Sequence, residues 1–411
     1  MYYSKEEAIQ FIEQNDVKFI RLAFCDIFGK QKNVSIMPNE LKKAFESGIG
    51  FDASAIEGFK EESKSDLFLV PDVKTMSLLP WRPTSGRVVR FFCDIHDEEK
   101  KPFVSDSRYI LKQAVSYAAE QGYSFLFGPE CEFYLFKTDE EGNSTNVPLD
   151  NGTYMDIAPS DKGENVRREI CLTLEQMGIN PEKSHHEEGP GQNEIDFAYS
   201  DAISAADNIT AFKAVVSAIA ARNGLYADFT PKPIKDKAGS GLHVNMSVKS
   251  VTKHDVTTKE RDHMMAGILN RIREITLWLN NSENSYQRLS KFKAPGYVTW
   301  AYADRSQLIR IPACCDVSSR IEIRSADPMT NPYLSFALLI YASMEGINNQ
   351  LVPPAPMDMN LYKSNSDMVR DIQRLPDNLN EAKKVASDSE FVRMHMPKEI
   401  IEGYIDKKHI G

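Results

Sequence analysis

Glu130 and Glu132 are two residues apart, as are Glu194 and Asp196, His243 and Asn245, and Glu322 and Arg324. The residues between and beside them are apolar: Cys131 and Phe133, Ile195 and Phe197, Leu242, Val244 and Met246, Ile321 and Ile323. A β-strand has a period of two, so each pair shares one face. Strands are therefore predicted over 123–136, 192–197, 241–248 and 320–324. Each buries one face against helices and offers Glu, His or Arg to a polar ligand on the other. Glu130, Glu132, Glu187, Glu194, His243 and Glu322 have the types expected of two divalent-cation sites. Hard cations such as Mg2+ take oxygen ligands and an occasional imidazole. The six cysteines form no C-x-x-C pair, which speaks against a zinc cage.

A lone strand glutamate is ordinarily a solvated surface group. What separates these acids from that reading is their recurrence on the polar side of several strands, beside the dense run 184–194. Arg288, Arg305, Arg310, Arg320 and Arg324 fall within 37 residues that also hold a strand. They form either a solvated basic patch or a set of forks for phosphate and carboxylate oxygens, and the acidic sites favour the forks. Phosphoryl transfer fits this inventory, because its catalysis is positioning and charge neutralisation. No Gly-x-x-x-x-Gly-Lys-Ser/Thr loop occurs, so the sheet and its loops must hold a nucleotide.

At 411 residues the chain predicts two or three domains, and 42% hydrophobic with 26% charged residues is the composition of a soluble globular protein. A net charge of −10 without a basic run argues against nucleic acid or an anionic membrane as partner. Unpaired cysteines and a polar N-terminus without a secretory leader predict reduced thiols in the cytoplasm. The apolar run 334–344 contains two serines and is too short for a bilayer, so it is expected to be a buried helix.

The elements that must position these groups begin with a capping box, Ser4 with Glu7, ahead of a short amphipathic helix. Strand-like runs at 17–26 and 86–93 predict a small mixed domain over 1–100, with 97–102 as linker and 101–411 as the larger domain. Helices are expected over 107–121, 161–177, 202–222 and 259–279.

Phe51 to Ile56 with Ser65-Asp66, Gly128 to Phe133, His185 to Glu194, Gly239 to Ser247, Asn284 to Leu289, and Arg320 to Arg324 followed by Asn331-Pro332-Tyr333 stand in the order of a family's signatures. On these motifs the chain resembles the glutamine synthetases of bacterial type I over nearly its whole length. The resemblance implies an α+β protein: an N-terminal β-grasp domain, then a catalytic domain with a curved antiparallel sheet backed by helices, as in guanido kinases. It also implies a homo-oligomeric ring, a hexamer or dodecamer, with active sites between subunits and a part in nitrogen metabolism. ATP and two or more Mg2+ or Mn2+ ions per site would be its cofactors. Glu132, Glu187 and Glu194 match the cation nearer the amine, and Glu130, His243 and Glu322 the one under the ATP phosphates. Glu182, Asn245, Ser247, Arg310 and Arg320 match nucleotide contacts. Gly239, Arg288, Arg305 and Arg324 match positions serving the amino acid or the transferred phosphate. The catalytic set would be Arg305, Glu194 and Asp52, the last arriving from an adjacent subunit to deprotonate the amine. The implied reaction makes γ-glutamyl phosphate from glutamate and ATP, and an amine then displaces the phosphate.

The chain also departs from the pattern. Between Arg288 and Ala294-Pro295 the family has a flap glutamate that closes the ammonium site; this loop reads Ser290-Lys291-Phe292-Lys293, one residue shorter, with Lys293 in that place. Ala55 replaces a serine of the same pocket, Ala238 an asparagine, and Val317 a nucleotide-contacting lysine. The C-terminus lacks the helical strap that joins two rings, which favours a single hexamer. Three functions remain open: a ligase of glutamate with ammonia or a substituted amine, or of a different acid and amine; a regulator that binds ATP or amino acid; and a superfamily relative that phosphorylates a guanidino group or joins glutamate to cysteine.

Overall fold

The structure, a computed structural model, describes residues 3–59, 65–82, 84–250, 258–313, 320–357, 359–362 and 369–406. The first part runs α1 (Lys5–Gln14), β1 (Val17–Cys25), β2 (Gln31–Ile36), α2 (Leu41–Ser47), β3 (Ile49–Asp52), β4 (Asp66–Pro71), β5 (Ser77–Leu78) and β6 (Arg87–His96). Ser4 and Glu7 close the expected capping box at α1. The six strands order as β2-β1-β6-β4-β3, with β5 also on β6, and β1 runs parallel to β6. The predicted linker is a tight turn: Lys100 has φ 62°, His96 bridges Pro102, and Phe103 N–H donates to the Ile95 carbonyl.

The second part continues with α3 (Ser107–Glu120), β7 (Tyr123–Thr138), β8 (Ser144–Pro148), α4 (Glu164–Gln176), β9 (Pro181–His186), β10 (Gln192–Phe197) and β11 (Ser200–Asp201). Then come α5 (Ala202–Arg222), β12 (Leu225–Asp228), β13 (Leu242–Ser250), α6 (Thr258–Leu279), α7 (Glu283–Arg288), β14 (Trp300–Tyr302), β15 (Ile309–Ile311), β16 (Arg320–Ile323) and α8 (Pro332–Asn348). Three short helices close it: α9 (Leu379–Asp388), α10 (Glu390–His395) and α11 (Lys398–Asp406). The ten strands order as β14-β15-β16-β13-β7-β10-β9, with β8, β11 and β12 attached to β7. Every pairing is antiparallel except β14 with β15, which is parallel.

Helices α3 and α5 pack on β7, and α6 crosses α8. The crossing is close because glycines meet there: a Cβ on Gly267 would lie 2.0 Å from the Ala342 carbonyl oxygen. The apolar run in α8 is buried as expected. Among the described residues one helix, α5, is long and apolar enough to cross a membrane, and its buried residues pack into this core. Asp161, expected in a helix, lies before α4 and is buried against Arg167. Cys25, Cys93, Cys131 and Cys171 are free thiols, while Cys314, Cys315, Val317 and the last five residues lie outside the described residues.

A buried arginine joins the two parts. Arg108, at the start of α3, donates to Asp207 of α5 through Nε (3.1 Å) and Nη2 (3.0 Å), to Asp94 of β6 (2.7 Å) and to Asp72 (2.9 Å). Removing it takes the guanidinium from three carboxylates at once and leaves Asp207, buried, with the Tyr333 hydroxyl and no cation bonded to it among the described residues. Arg108→Met is therefore expected to lower the unfolding free energy by about 3–5 kcal/mol, read by urea denaturation; a loss below about 1 kcal/mol would show that the junction does not depend on it.

Candidate active site

The alternation on each strand becomes a site only through register. Glu130 of β7 pairs with His243 of β13 on one side and Asp196 of β10 on the other, and Asp196 pairs with Lys183 of β9. The next row sets Glu132 opposite Glu194, and Glu194 opposite His185. A third row runs Arg310, Glu322, Asn245, Gly128 across β15, β16, β13 and β7. Like charges directly opposite on neighbouring strands repel. Both faces of β10 are buried, so water does little to relieve this.

These rows line a cavity of about 740 Å³ together with Arg288, Arg305, Arg320 and Arg324. The carboxylates are held by named donors. Asn245 Nδ2 donates to Glu130 Oε1 (2.7 Å), and His243 Nδ1 lies 3.3 Å from Glu130 Oε2. Glu132 Oε2 accepts from Gly241 N–H (2.8 Å) and Gln192 Nε2 (3.1 Å). Gly241 has no room for a side chain, since a Cβ there would sit 2.6 Å from Arg288 Nη2. Glu322 is fully buried between Arg310 and Arg324. Arg288 donates to the carbonyls of Ser325 (2.8 Å) and Arg324 (3.2 Å). Asn245 Oδ1 accepts from Arg320 (2.7 Å), whose guanidinium lies over the Tyr199 ring.

Burial pushes Glu130 up, but His243, Asn245 and Arg324 outweigh it and hold it down at about 2. Burial and then the charge of Glu187 push Glu132 up to about 8. Burial, Glu132 and Asp196 lift Glu194 well above the carboxylate range, and burial with Glu130 raises Asp196 to about 6. Burial and Arg324 depress His243, leaving a neutral imidazole.

The arrangement fits divalent cations. Ligand atoms of Glu130, His243 and Glu322 lie within 4.8 Å of one another, as do those of His185, Glu187 and Glu194, and of Glu130, Glu194 and Asp196. A fourth group, Asp150, Asp161 and His186, is satisfied internally: His186 Nε2 bonds Asp150 (2.9 Å), and Asp161 pairs with Arg167.

Of the residues expected from sequence, Glu130, Glu132, Glu187, Glu194, Gly239, His243 and the five arginines line the cavity, and Glu322 lies beneath it. Asn245 links Glu130 to Arg320, and Ser247 is buried farther along β13. Glu182 is exposed and is skipped where the register of β9 shifts, outside the cavity lining. Asp52 ends β3 and accepts from Ser54 N–H (2.9 Å) and Ser54 Oγ (2.6 Å), away from this cavity. Asp196, paired with Glu194 in the sequence, also lines the cavity, as do Lys183, His185, Glu188, Gln192 and Tyr154, to which the sequence had assigned no role. For Lys183 and His185 the available signal was their parity with Glu187.

Carboxyls raised toward 8 hold protons that a cation must displace. Because they bind protons more tightly folded than unfolded, their own contribution to cation-free stability is full below the usual carboxylate range and is lost as pH rises through the raised values. Cation affinity runs the other way. Mn2+ binding followed by calorimetry is expected to tighten by about tenfold per pH unit between pH 6 and 8 with proton release; a pH-independent affinity would contradict the protonated floor.

A glutamine synthetase catalytic-domain model matches residues 104–410, and a glutamine synthetase β-Grasp model matches residues 16–98. The glutamine synthetase of Clostridium saccharobutylicum is 42% identical over 99% of this chain and 94% of its own length. That of Methanosarcina mazei is also 42% identical, over 99% and 94%. The solved GmaS/ADP complex superposes with a TM-score of 0.88 at 26% identity, covering 97% of this chain and 94% of that one, and ligand-free GmaS gives 0.87 at 26% over 97% and 93%. The expected β-grasp domain and curved catalytic sheet are those of these relatives. The chain belongs to the glutamine synthetase family of ATP-dependent ligases, which join glutamate to an amine.

Proposed function

We propose that this ligase activates glutamate as γ-glutamyl phosphate and transfers the acyl group to a substituted primary amine in preference to ammonia. The observation that carries this reading is the flap lysine. Lys293 lines the active cavity, with Nζ 2.5 Å from Glu188 Oε1 and 5.3 Å from the centroid of the Tyr154 ring. The flap holds its shape through its own bonds, Ala294 N–H to the Lys291 carbonyl (3.0 Å) among them, with Ser290 (φ 61°) and Phe292 (φ 52°) in the left-handed region. The family's flap acid is thus replaced by a cation whose partner, Glu188, is occupied in neutralising it. Ammonium is small, charged and strongly hydrated, and capturing it needs a free carboxylate. Tyr154, Met155 and Phe292 also line the cavity and suit an apolar substituent better.

The phosphate side supports activation. Glu130, His243 and Glu322 would hold one divalent cation, and Glu187 and Glu194, with Glu132 and His185, the other. Such cations, when bound, offset charge on the phosphates and align them. Arg305, Arg310, Arg320 and Arg324 present guanidinium forks to the nucleotide and to the transferring group. The glutamate γ-carboxylate oxygen attacks the terminal phosphorus as the bond to ADP breaks. The amine nitrogen then attacks the acyl carbon, phosphate leaves, and the nitrogen gives up a proton. Asp52 of a neighbouring copy, within a homo-oligomeric ring, is assigned to the earlier proton, which it takes from the alkylammonium so that the lone pair is free to attack. Ala55, smaller than the family's serine, would widen the amine side, and Ala238, in the cavity lining, the glutamate side. We place the enzyme in the cytoplasm, where its free thiols persist.

The test is Mg2+-dependent phosphate release from ATP with glutamate, comparing ammonium with short alkylamines. An alkylamine is expected to exceed ammonium in kcat/KM by at least about tenfold, a difference of roughly 1.4 kcal/mol. Lys293→Glu is expected to narrow that gap by raising turnover with ammonium. Turnover with ammonium alone would make this an ordinary glutamine synthetase. ATP binding without turnover on any amine would leave the regulatory reading.

A further inference from the structure

A second cavity, of about 340 Å³, lies between the N-terminal sheet and the catalytic domain. Its walls are residues 74–77 and β6 on one side, and 177–180 with the start of α5 on the other. Arg90 of β6 lines it at 7% exposure, with its guanidinium carbon 4.0 Å from the Phe92 ring centroid. Among the described residues no carboxylate pairs with Arg90, and its Nε is buried without a hydrogen-bond partner. The two acids of the cavity are engaged elsewhere. Asp207 Oδ1 accepts from Arg108 Nε (3.1 Å) and the Tyr333 hydroxyl (2.7 Å), and its Oδ2 from Arg108 Nη2 (3.0 Å). Asp201 caps α5, accepting from Ser204 N–H (3.0 Å) and Oγ (2.6 Å). Ser200 Oγ, also in the wall, is buried without a partner.

A guanidinium stays charged at neutral pH, and burial opposes the charge of Arg90, which Asp207, itself bonded to Arg108, offsets only through space. A buried basic fork beside the unbonded Ser200 hydroxyl, at the wall of a cavity, suits an anion. We propose that this cavity binds a small oxyanion, a phosphate or a carboxylate, on Arg90, with Asn180 and Ser200 supplying further donors. The site stands apart from the catalytic cavity and does not depend on which amine the enzyme uses. Its occupant abuts Tyr199, whose ring lies under Arg320 and leaves no room for a Cβ on Gly128, which would sit 2.9 Å away. Ala198, in the same wall, directly follows the strand that bears Glu194 and Asp196.

Equilibrium dialysis of the full chain with radiolabelled inorganic phosphate at constant ionic strength tests this. Wild type is compared with Arg90→Gln and with Asn180→Trp, which leaves Arg90 in place and fills the mouth. Both variants are expected to bind one phosphate fewer per chain than wild type. Displacement of that phosphate by succinate would assign the site to carboxylates as well, and resistance to succinate would restrict it to phosphate. Equal stoichiometry in all three proteins would overturn the proposal. If Arg90→Gln does not fold, Asn180→Trp decides alone, because its substituted side chain is exposed.

Discussion

Two pairs of carboxylates set directly opposite each other, Glu132 with Glu194 and Glu130 with Asp196, are the constraint around which the catalytic domain is arranged. At cross-strand distance such pairs oppose folding, and burial beneath the cavity denies them solvent. The surroundings answer this in three ways. Amides and an imidazole donate to Glu130 and Glu132. Arginines clamp Glu322. Protons stay on Glu132 and Glu194 until something more positive displaces them. A floor in this state is poised for cations, which relieve the repulsion that the sheet register imposes.

The arginines are the complement of those acids. Acids and guanidiniums line one cavity, with Arg310 and Arg324 against Glu322, so a polyphosphate can meet guanidinium forks and acid-held cations together without a glycine-rich loop. The amine side follows a different logic. There the Lys293 and Glu188 charges cancel, and Tyr154 and Phe292 supply surface where a small cation needs a carboxylate. Keeping the phosphate machinery while altering the nucleophile's entrance is how one scaffold changes its amine without changing its activation chemistry.

Much of this was legible in the sequence, because period-two alternation survives burial. Residues 192–197 and 202–222 form the elements that were expected, and the strands carrying Glu130, His243 and Glu322 fall where their apolar partners predict. Register was not legible, since it depends on pairing between distant segments. His185 and Lys183 therefore enter the site only once β9 is laid against β10 and β10 against β7. The irregularity that leaves Glu182 outside the cavity, and the parallel pairing of β14 with β15, left no mark in composition. The stretch 97–102 looked like a linker because charges and proline mark tight turns and linkers alike.

The central claim is that this cavity activates the carboxylate of glutamate by phosphorylating it. Turnover with glutamate labelled with oxygen-18 in its side-chain carboxylate tests this most directly, by mass spectrometry of the released phosphate. One labelled oxygen in each phosphate is the result the account predicts, because the acyl oxygen leaves with phosphorus. Unlabelled phosphate during amide formation would contradict it.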